Sequence, residues 1–171
     1  LLLIGLGLYG SKLGPVQISL PLAALEVDPA LPALSALPIE PNTLGGRNLL
    51  IVTIDTTRPD RLGLYGNANI ATPNLDRFAA RSAVFTRAHA TTPITLPSHA
   101  SILTGRYPHN HGVRTNGFPP LGSDQTTLAE FLSDYGYETA AFVSSFILEK
   151  KFGLAQGFGR YDDETHDESA V

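Results

Sequence analysis

The stretch Asn48–Asp55, NLLIVTID, constrains the fold more than any other part of the sequence. It is a continuous apolar run rich in β-branched residues, which is typical of a central strand buried on both faces of a parallel sheet. Its last residue, Asp55, falls at the carboxyl end of that strand, where open α/β sheets place their ligand sites. The run therefore predicts an α/β fold with a candidate site at Asp55.

A second stretch, Thr91–Gly105, predicts a short helix with a hydroxyl at its beginning. Pro97 is tolerated in a first helical turn, and Gly105 suits the left-handed position just past the helix end. Thr95 then lies at a helix N-terminus, where unpaired N–H groups and the helix dipole favour an anion or a developing alkoxide. Alternatively, Thr95 only caps the helix.

The rest of the globular region alternates strands with helices. The predicted elements are a helix capped by Thr72, a strand over Ala83–Ala90, a helix opened by the capping-box pair Thr127 and Glu130, and a strand over Tyr137–Ser145. The acidic segment 157–164, GFGRYDDE, is expected to be a solvated loop. This order predicts a three-layer α/β/α sandwich with a mostly parallel sheet.

Composition excludes several classes of protein. The net charge is −4 and no basic stripe is present, which argues against a nucleic-acid partner. Cysteine is absent, so neither a disulfide nor a thiolate metal site can form. At 171 residues there is room for one domain or for part of a larger one, and we interpret the chain as the front of a longer protein.

Three regions follow from the composition along the chain. Residues 1–10 are apolar, and we expect the remnant of a signal peptide or membrane anchor, with an apolar strand or a disordered end as alternatives. Residues 11–46 are rich in proline and predict a semi-rigid linker. Residues 47–171 form the globular part. An N-terminal anchor or signal would place the protein outside the cytoplasm, in the periplasm or on a membrane.

Three sequence blocks resemble the amino-terminal part of the sulfatase family. They are NLLIVTIDTTRPDRLGLYG, TPNLDRFA and TLPSHASILTGRYPHNHGV, and the likeness runs from about Asn48 to Asp163. That family belongs to the alkaline-phosphatase superfamily, together with phosphodiesterases, phosphonate hydrolases and phosphoglycerol transferases. The resemblance implies an alkaline-phosphatase-like fold, present here as the N-terminal portion of a catalytic domain.

The resemblance places Thr95 at the nucleophile position. The family block reads Cys or Ser, any residue, Pro, Ser, Arg, and after three more residues Leu-Thr-Gly. Here Thr95 replaces the Cys or Ser, and His99 replaces the Arg. Threonine cannot become formylglycine, so none is expected, whereas relatives with Thr attack phosphorus directly. His99 is assigned a catalytic role, in which it contacts the leaving group or an anionic oxygen; alternatively it only covers the site.

A divalent metal ion is the implied cofactor. Relatives with a single aspartate at the position of Asp55 bind metal through it, through the nucleophile, and through an Asp–His or Asp–Asn pair from the carboxyl-terminal part. The resemblance therefore implies that Asp55 and Thr95 hold Ca, Zn, Mn or Mg by hard oxygen ligands. Asp55 as a plain turn residue is the alternative.

Substrate contacts are assigned to the loop that follows the Thr95 helix. Asn116 lies where phosphodiesterase-type relatives carry an Asn that holds a substrate oxygen, and loop capping is the alternative. Arg114 either meets substrate charge or is solvated. His109 and His111 resemble a metal pair only weakly, and the resemblance implies a structural loop there.

These assignments together predict a sulfatase-like, metal-dependent hydrolase of sulfuric or phosphoric esters. Thr95 would form a covalent ester that water later cleaves, and the chemistry favours phosphoryl over sulfuryl transfer. The substrate would be a small molecule or a glycan or lipid ester. Transfer to an alcohol acceptor and an inactive binding protein of the same fold are the alternatives. The 171 residues alone are expected to be inactive, because the carboxyl-terminal metal ligands are absent.

Overall fold

A computed structural model of the chain describes residues 2–8 and 46–164. Its strands and helices are β1 (Leu2–Leu8), β2 (Leu49–Thr53), α1 (Pro73–Ala79), α2 (Thr95–Thr104), α3 (Pro108–His111), α4 (Leu128–Asp134), β3 (Tyr137–Val143) and β4 (Arg160–Asp162). Short 3-10 turns lie at Pro59–Arg61, Gly63–Tyr65, Phe146–Leu148 and Lys150–Phe152.

The four strands form one sheet in the order β2-β1-β3-β4. β1 is antiparallel to both of its neighbours, with Ile4 opposite Ile51 on one side and Ala141 on the other. β3 and β4 pair in parallel. β2, β3 and β4 therefore point the same way, as an α/β fold requires, and the carboxyl ends of β2 and β3 lie at one edge of the sheet.

β1 occupies part of the apolar segment 1–10. Of the alternatives for that segment, the structure describes a strand over Leu2–Leu8, and a targeting role stays a prediction. The proposed linker, up to residue 45, lies outside the described residues. Within residues 2–8 and 46–164, no helix has the length and apolar character needed to cross a bilayer.

The hydrophobic core lies between helix α2 and one face of the sheet. Leu96, Ala100 and Leu103 of α2 are buried and share a cluster with Ala141 and Val143 of β3. Their spacing puts the α2 residues on one side of the helix, while alternate residues of β3 point to the same face of the strand. Burial of this stripe fixes the helix against the sheet and so fixes where its first turn lies.

The other face of β2 differs from the prediction of a strand buried on both sides. Leu50, Val52 and Ile54 are exposed by 60%, 49% and 53%. The apolar run was interpreted correctly as a strand, but in the described part of the chain nothing covers this face.

Helix α4 begins as its sequence predicts. The Thr127 hydroxyl accepts a hydrogen bond from the Glu130 N–H, and the Glu130 carboxylate in turn accepts one from the Thr127 N–H. The Thr127 hydroxyl also donates to the Gln156 carbonyl at 2.9 Å. The capping box is confirmed, and the same hydroxyl joins the helix to the loop that leads into β4.

Two predictions of local structure are wrong. Ala83–Ala90 is not a strand, because no neighbouring strand pairs with it; Phe85 is 66% exposed, and its carbonyl accepts from the Tyr65 hydroxyl instead. Segment 157–164 is not only a loop, since it contains β4. Charged residues are tolerated there because β4 is a short strand at the sheet edge, where they discourage further pairing.

Candidate active site

Helix α2 begins with Thr95 itself. The preceding residue, Ile94, is extended and takes the capping position, where it makes no side-chain hydrogen bond. Gly105 ends the helix in the left-handed conformation with φ of 65°, as predicted. The Thr95 hydroxyl is therefore not used as a helix cap and is available to another group.

That group is Asp55. The Thr95 hydroxyl donates to Asp55 Oδ2 at 3.0 Å, although 40 residues separate the two in the sequence. Asp55 Oδ1 accepts the Thr56 N–H at 3.0 Å. The end of β2 and the start of α2 thus meet at one carboxylate, and Asp55 is exposed while Thr95 is half-buried.

The backbone just after Asp55 adopts an unfavourable conformation. Thr56 has φ of 57°, in the left-handed region that β-branched residues rarely occupy. Such a conformation costs on the order of 1–3 kcal/mol and persists only where the surrounding structure imposes it. At this position it turns the chain sharply at the end of β2 and brings the Thr56 N–H onto the Asp55 carboxylate.

Asp55 and Thr95 are suited to a divalent cation. Both offer hard oxygen atoms, and two oxygens 3.0 Å apart can contact one ion, since metal–oxygen distances are about 2.0–2.6 Å. Residues 2–8 and 46–164 contain no group of three His, Cys, Asp or Glu side chains placed to hold a metal. The described residues thus provide two ligands, which fits part of a metal site.

Asn116 reaches the same helix start from the following loop. Its Oδ1 accepts the Leu96 N–H at 2.9 Å, so that it caps α2 from outside. Because an N–H needs an acceptor, this bond fixes the orientation of the amide and leaves Nδ2 as the remaining donor. Asn116 is exposed. Its contact with Leu96 shows a capping role, and the contact with a substrate oxygen stays a prediction.

The first turn of α2 offers an anion fewer backbone donors than the sequence indicated. The Leu96 N–H is taken by Asn116, Pro97 has no N–H, and the Ser98 N–H bonds to the Ile94 carbonyl. The helix dipole remains, but an anion here would depend more on side chains and on a cation.

His99 lies behind Thr95, away from solvent. Only 4% of the residue is exposed. Its Nδ1 donates to the Thr95 carbonyl at 2.8 Å, and its Nε2 lies 3.0 Å from Thr53 Oγ1. Because a carbonyl only accepts, the neutral ring carries its proton on Nδ1 and accepts the Thr53 hydroxyl on Nε2.

The same burial affects the charge of His99. Burial lowers the pKa of the ring below its ordinary value, while the Thr95 carbonyl and the nearby Asp55 carboxylate oppose that change. Both ring nitrogens already have partners, so the ring does not present a nitrogen to the open side of the site. Of the two roles considered for His99, this buried position favours covering the site over contact with a leaving group.

The other polar residues of the loop are spread out. Arg114 is exposed, two residues before Asn116, and the structure records no contact between it and Asp55 or Thr95. His109 stacks on Tyr107, whereas His111 is buried and bonds to Ser101 Oγ at 3.0 Å. The two histidines therefore have different partners, as a structural loop implies.

Thr53 is the site-proximal residue that sequence reasoning missed. It is the last residue of β2, two positions before Asp55, and its hydroxyl contacts His99. The sequence signal for Thr53 was a single polar residue within the apolar run 49–54.

Comparison with known proteins matches this chain to one family. The family model described as Sulfatase matches residues 47–170. Human steryl-sulfatase is 38% identical over 103 residues, which cover 54% of this chain and 18% of the relative. An N-acetylglucosamine-6-O-sulfatase from Bacteroides thetaiotaomicron is 34% identical over 129 residues, covering 75% of this chain and 22% of the relative.

Two solved structures with a similar fold are also sulfatases. A 2-O GAG sulfatase superposes with a TM-score of 0.54 and 27% identity, over 63% of this chain and 23% of that chain. A sulfatase from Bacteroides thetaiotaomicron gives a TM-score of 0.52 and 28% identity, over 62% of this chain and 23% of its own. The chain spans about a fifth of the length of each of these relatives. With the family model covering most of its residues, the chain belongs to the sulfatase family.

Proposed function

We propose that this chain is the amino-terminal part of a metal-dependent ester hydrolase in which Thr95 is the nucleophile. The observation that carries the proposal is the 3.0 Å hydrogen bond between the Thr95 hydroxyl and the Asp55 carboxylate. It joins a hydroxyl at the positive end of a helix to a hard anionic ligand, across 40 residues of sequence.

The chemistry begins with the proton on the Thr95 hydroxyl. A threonine hydroxyl is a weak nucleophile while protonated, and a bound divalent cation lowers the pKa of an oxygen that it coordinates. Among residues 46–164, Asp55 and Thr95 would hold the cation. Asp55 also orients the Thr95 Oγ1 through the existing hydrogen bond.

Attack by Thr95 forms a bond from Oγ1 to the phosphorus or sulfur and breaks the bond to the leaving oxygen, which departs with the electron pair and takes up a proton. Water then cleaves the threonyl ester and restores the hydroxyl. The Asn116 Nδ2 would donate to a non-bridging oxygen, whose charge grows in the transition state.

Phosphoric esters are the favoured substrates. Oxidation of threonine at Cβ gives a ketone, because a methyl group is attached there, so Thr95 cannot supply the formylglycine aldehyde. Direct attack by a hydroxyl is therefore the route open to this residue. The named relatives are sulfatases, and hydrolysis of a sulfuric ester by the same attack is the second candidate.

The test is turnover by the full-length protein with three substrates: bis-p-nitrophenyl phosphate, an aryl phosphonate and an aryl sulfate. We expect hydrolysis that requires a divalent cation, is abolished by chelator and is restored by added metal. Thr95→Ala should reduce kcat by at least about 10³-fold, since it removes the nucleophile.

Ser98→Ala is a matched control, because it removes a hydroxyl from the same helix turn without removing the proposed nucleophile. It should stay within a few-fold of wild type. Metal-dependent turnover that survives Thr95→Ala would overturn the proposal, and no turnover with any ester and metal would favour a binding protein. Product formed on an added alcohol instead of water would identify a transferase.

A further inference from the structure

A partly buried hydrogen bond joins the two elements that carry the proposed site. Thr53 Oγ1, at the end of β2, lies 3.0 Å from His99 Nε2, in the first turns of α2. We propose that Thr53 and His99 form a positioning bridge that keeps Asp55 and Thr95 preformed for cation binding. This inference rests on the proposed function and assigns two residues that act through their neighbours, not by touching substrate.

The bridge connects the strand end that precedes Asp55 to the helix turn that begins with Thr95. Thr53 is two residues before Asp55 in the chain, and His99 is one helical turn after Thr95. On its other side, the His99 ring donates to the carbonyl of Thr95 itself at 2.8 Å. A continuous chain of hydrogen bonds thus runs from the strand that presents Asp55 to the backbone of the residue that presents the hydroxyl.

The bridge has a fixed direction. Since the Thr95 carbonyl can only accept, Nδ1 holds the ring proton and the Thr53 hydroxyl donates to Nε2. His99 is almost fully buried, so water does not offer these groups an easy replacement. Groups that hydrogen-bond a metal-ligating side chain typically cost 10- to 100-fold in metal affinity when they are removed. The bridge acts through the Thr95 backbone instead, so we expect a loss near the lower end of that range.

A second contact between a hydroxyl and an imidazole lies on the same helix, with the opposite hydrogen-bond direction. Ser101 Oγ lies 3.0 Å from His111 Nε2, and both residues are buried. Ser101 is six residues beyond Thr95, about 9 Å along the helix at 1.5 Å per residue. The Val113 N–H donates to His111 Nδ1, so the ring proton is on Nε2 and donates to Ser101 Oγ, which also accepts the Thr91 hydroxyl. Ser101→Ala therefore removes at least as much hydrogen bonding as Thr53→Val, without touching the contacts that connect β2 to Thr95.

The experiment measures Mn²⁺ affinity of the full-length protein by calorimetric titration, together with thermal unfolding. Thr53→Val keeps the shape of the side chain and removes its hydroxyl, and we expect Mn²⁺ to bind at least about 10-fold more weakly. Thr53→Ser restores the hydroxyl and should restore affinity to within about threefold of wild type. Ser101→Ala should lower the unfolding temperature while Mn²⁺ affinity stays within about twofold.

Turnover of bis-p-nitrophenyl phosphate adds a second readout. If the bridge only positions the ligands, saturating Mn²⁺ should recover most of the kcat of Thr53→Val, whereas Thr95→Ala stays inactive. His99→Asn provides a second variant, because its shorter side chain loses the reach to Thr53. It should weaken Mn²⁺ binding as Thr53→Val does, and the double variant should add little further loss.

Equal Mn²⁺ affinity in wild type and Thr53→Val would overturn the bridge, and so would an equal loss in Thr53→Val and Ser101→Ala, which indicates general destabilisation. The proposed function fails separately, if wild-type protein binds no Mn²⁺ or if turnover persists in Thr95→Ala. The test of the bridge compares variants of a protein that binds Mn²⁺ and is active. Failure of the bridge can therefore be distinguished from failure of the proposed function.

Discussion

The two proposed tasks of Asn116, capping α2 and holding a substrate oxygen, are separable by substitution. Oδ1 accepts the Leu96 N–H at 2.9 Å, and Nδ2 remains for an anionic oxygen. Asn116→Ala removes both groups. Asn116→Asp keeps an acceptor for the Leu96 N–H but replaces the donor by a negatively charged oxygen.

The contact with Leu96 sets the expected change in stability. Asn116→Ala loses a capping hydrogen bond and should lower the free energy of unfolding by about 1 kcal/mol. Asn116→Asp should match wild type or exceed it, because an ionised acceptor at a helix N-terminus forms a stronger bond and interacts favourably with the helix dipole.

Activity should change in a different order. Removal of one preorganised donor to a developing anion typically costs about 10²–10³ in kcat, so Asn116→Ala should lose that factor. Asn116→Asp should lose at least as much, because its charge repels the substrate oxygen. The more stable variant is thus expected to be the less active one.

The assay combines thermal unfolding with kcat for bis-p-nitrophenyl phosphate in the full-length protein, at a pH near 8 where the new carboxylate is ionised. An active Asn116→Asp variant would refute the assigned donor role. If Asn116→Asp unfolds at a lower temperature than Asn116→Ala, the capping contact with Leu96 is refuted.

Two further outcomes test other parts of the structure. Burial lowers the pKa of His99 and of His111 below the ordinary 6.5, so the unfolded chain takes up protons first as the pH falls. Their contribution to stability is therefore complete above about pH 6.5, and it is lost as the pH falls from there through the lowered pKa of each folded ring. Unfolding temperatures between about pH 8 and pH 5 check this, and a flat profile would contradict it. Gly157→Ala should lower the free energy of unfolding by at least about 2 kcal/mol, because φ is +80° and a Cβ would collide with the Glu130 backbone N–H. Denaturant unfolding measures the loss. Gly66→Ala is the control for backbone strain alone, because there is open space around Gly66.

Local signals in the sequence predicted local structure well. The Thr127–Glu130 capping box, the left-handed Gly105 and the start of α2 near Thr95 each depend on residues within a few positions of one another. Such contacts are decided by neighbouring chemistry alone, so a single sequence is enough to identify them.

Pairing between distant segments was harder to predict. Ala83–Ala90 has the alternation of a strand but no partner strand, and a strand needs a partner to satisfy its backbone groups. β1 pairs instead between β2 and β3, where no local pattern could have placed it. The Asp55–Thr95 contact was implied by the family resemblance and by the rule that ligand sites lie at strand ends, whereas Thr53–His99 had no such guide.

The cation is central to the proposed chemistry, because most backbone N–H groups in the first turn of α2 are already hydrogen-bonded or missing. A bare helix N-terminus would present several N–H groups to an anion. Here the Leu96 N–H is held by Asn116, and Pro97 has none to give. We expect an ion at Asp55, together with the Asn116 amide, to meet most of the negative charge of a transferring group, because the Asp55 carboxylate alone would repel it. A chelated protein should therefore lose affinity for an anionic inhibitor such as vanadate as well as turnover, and vanadate binding that is unaffected by chelator would contradict this reasoning.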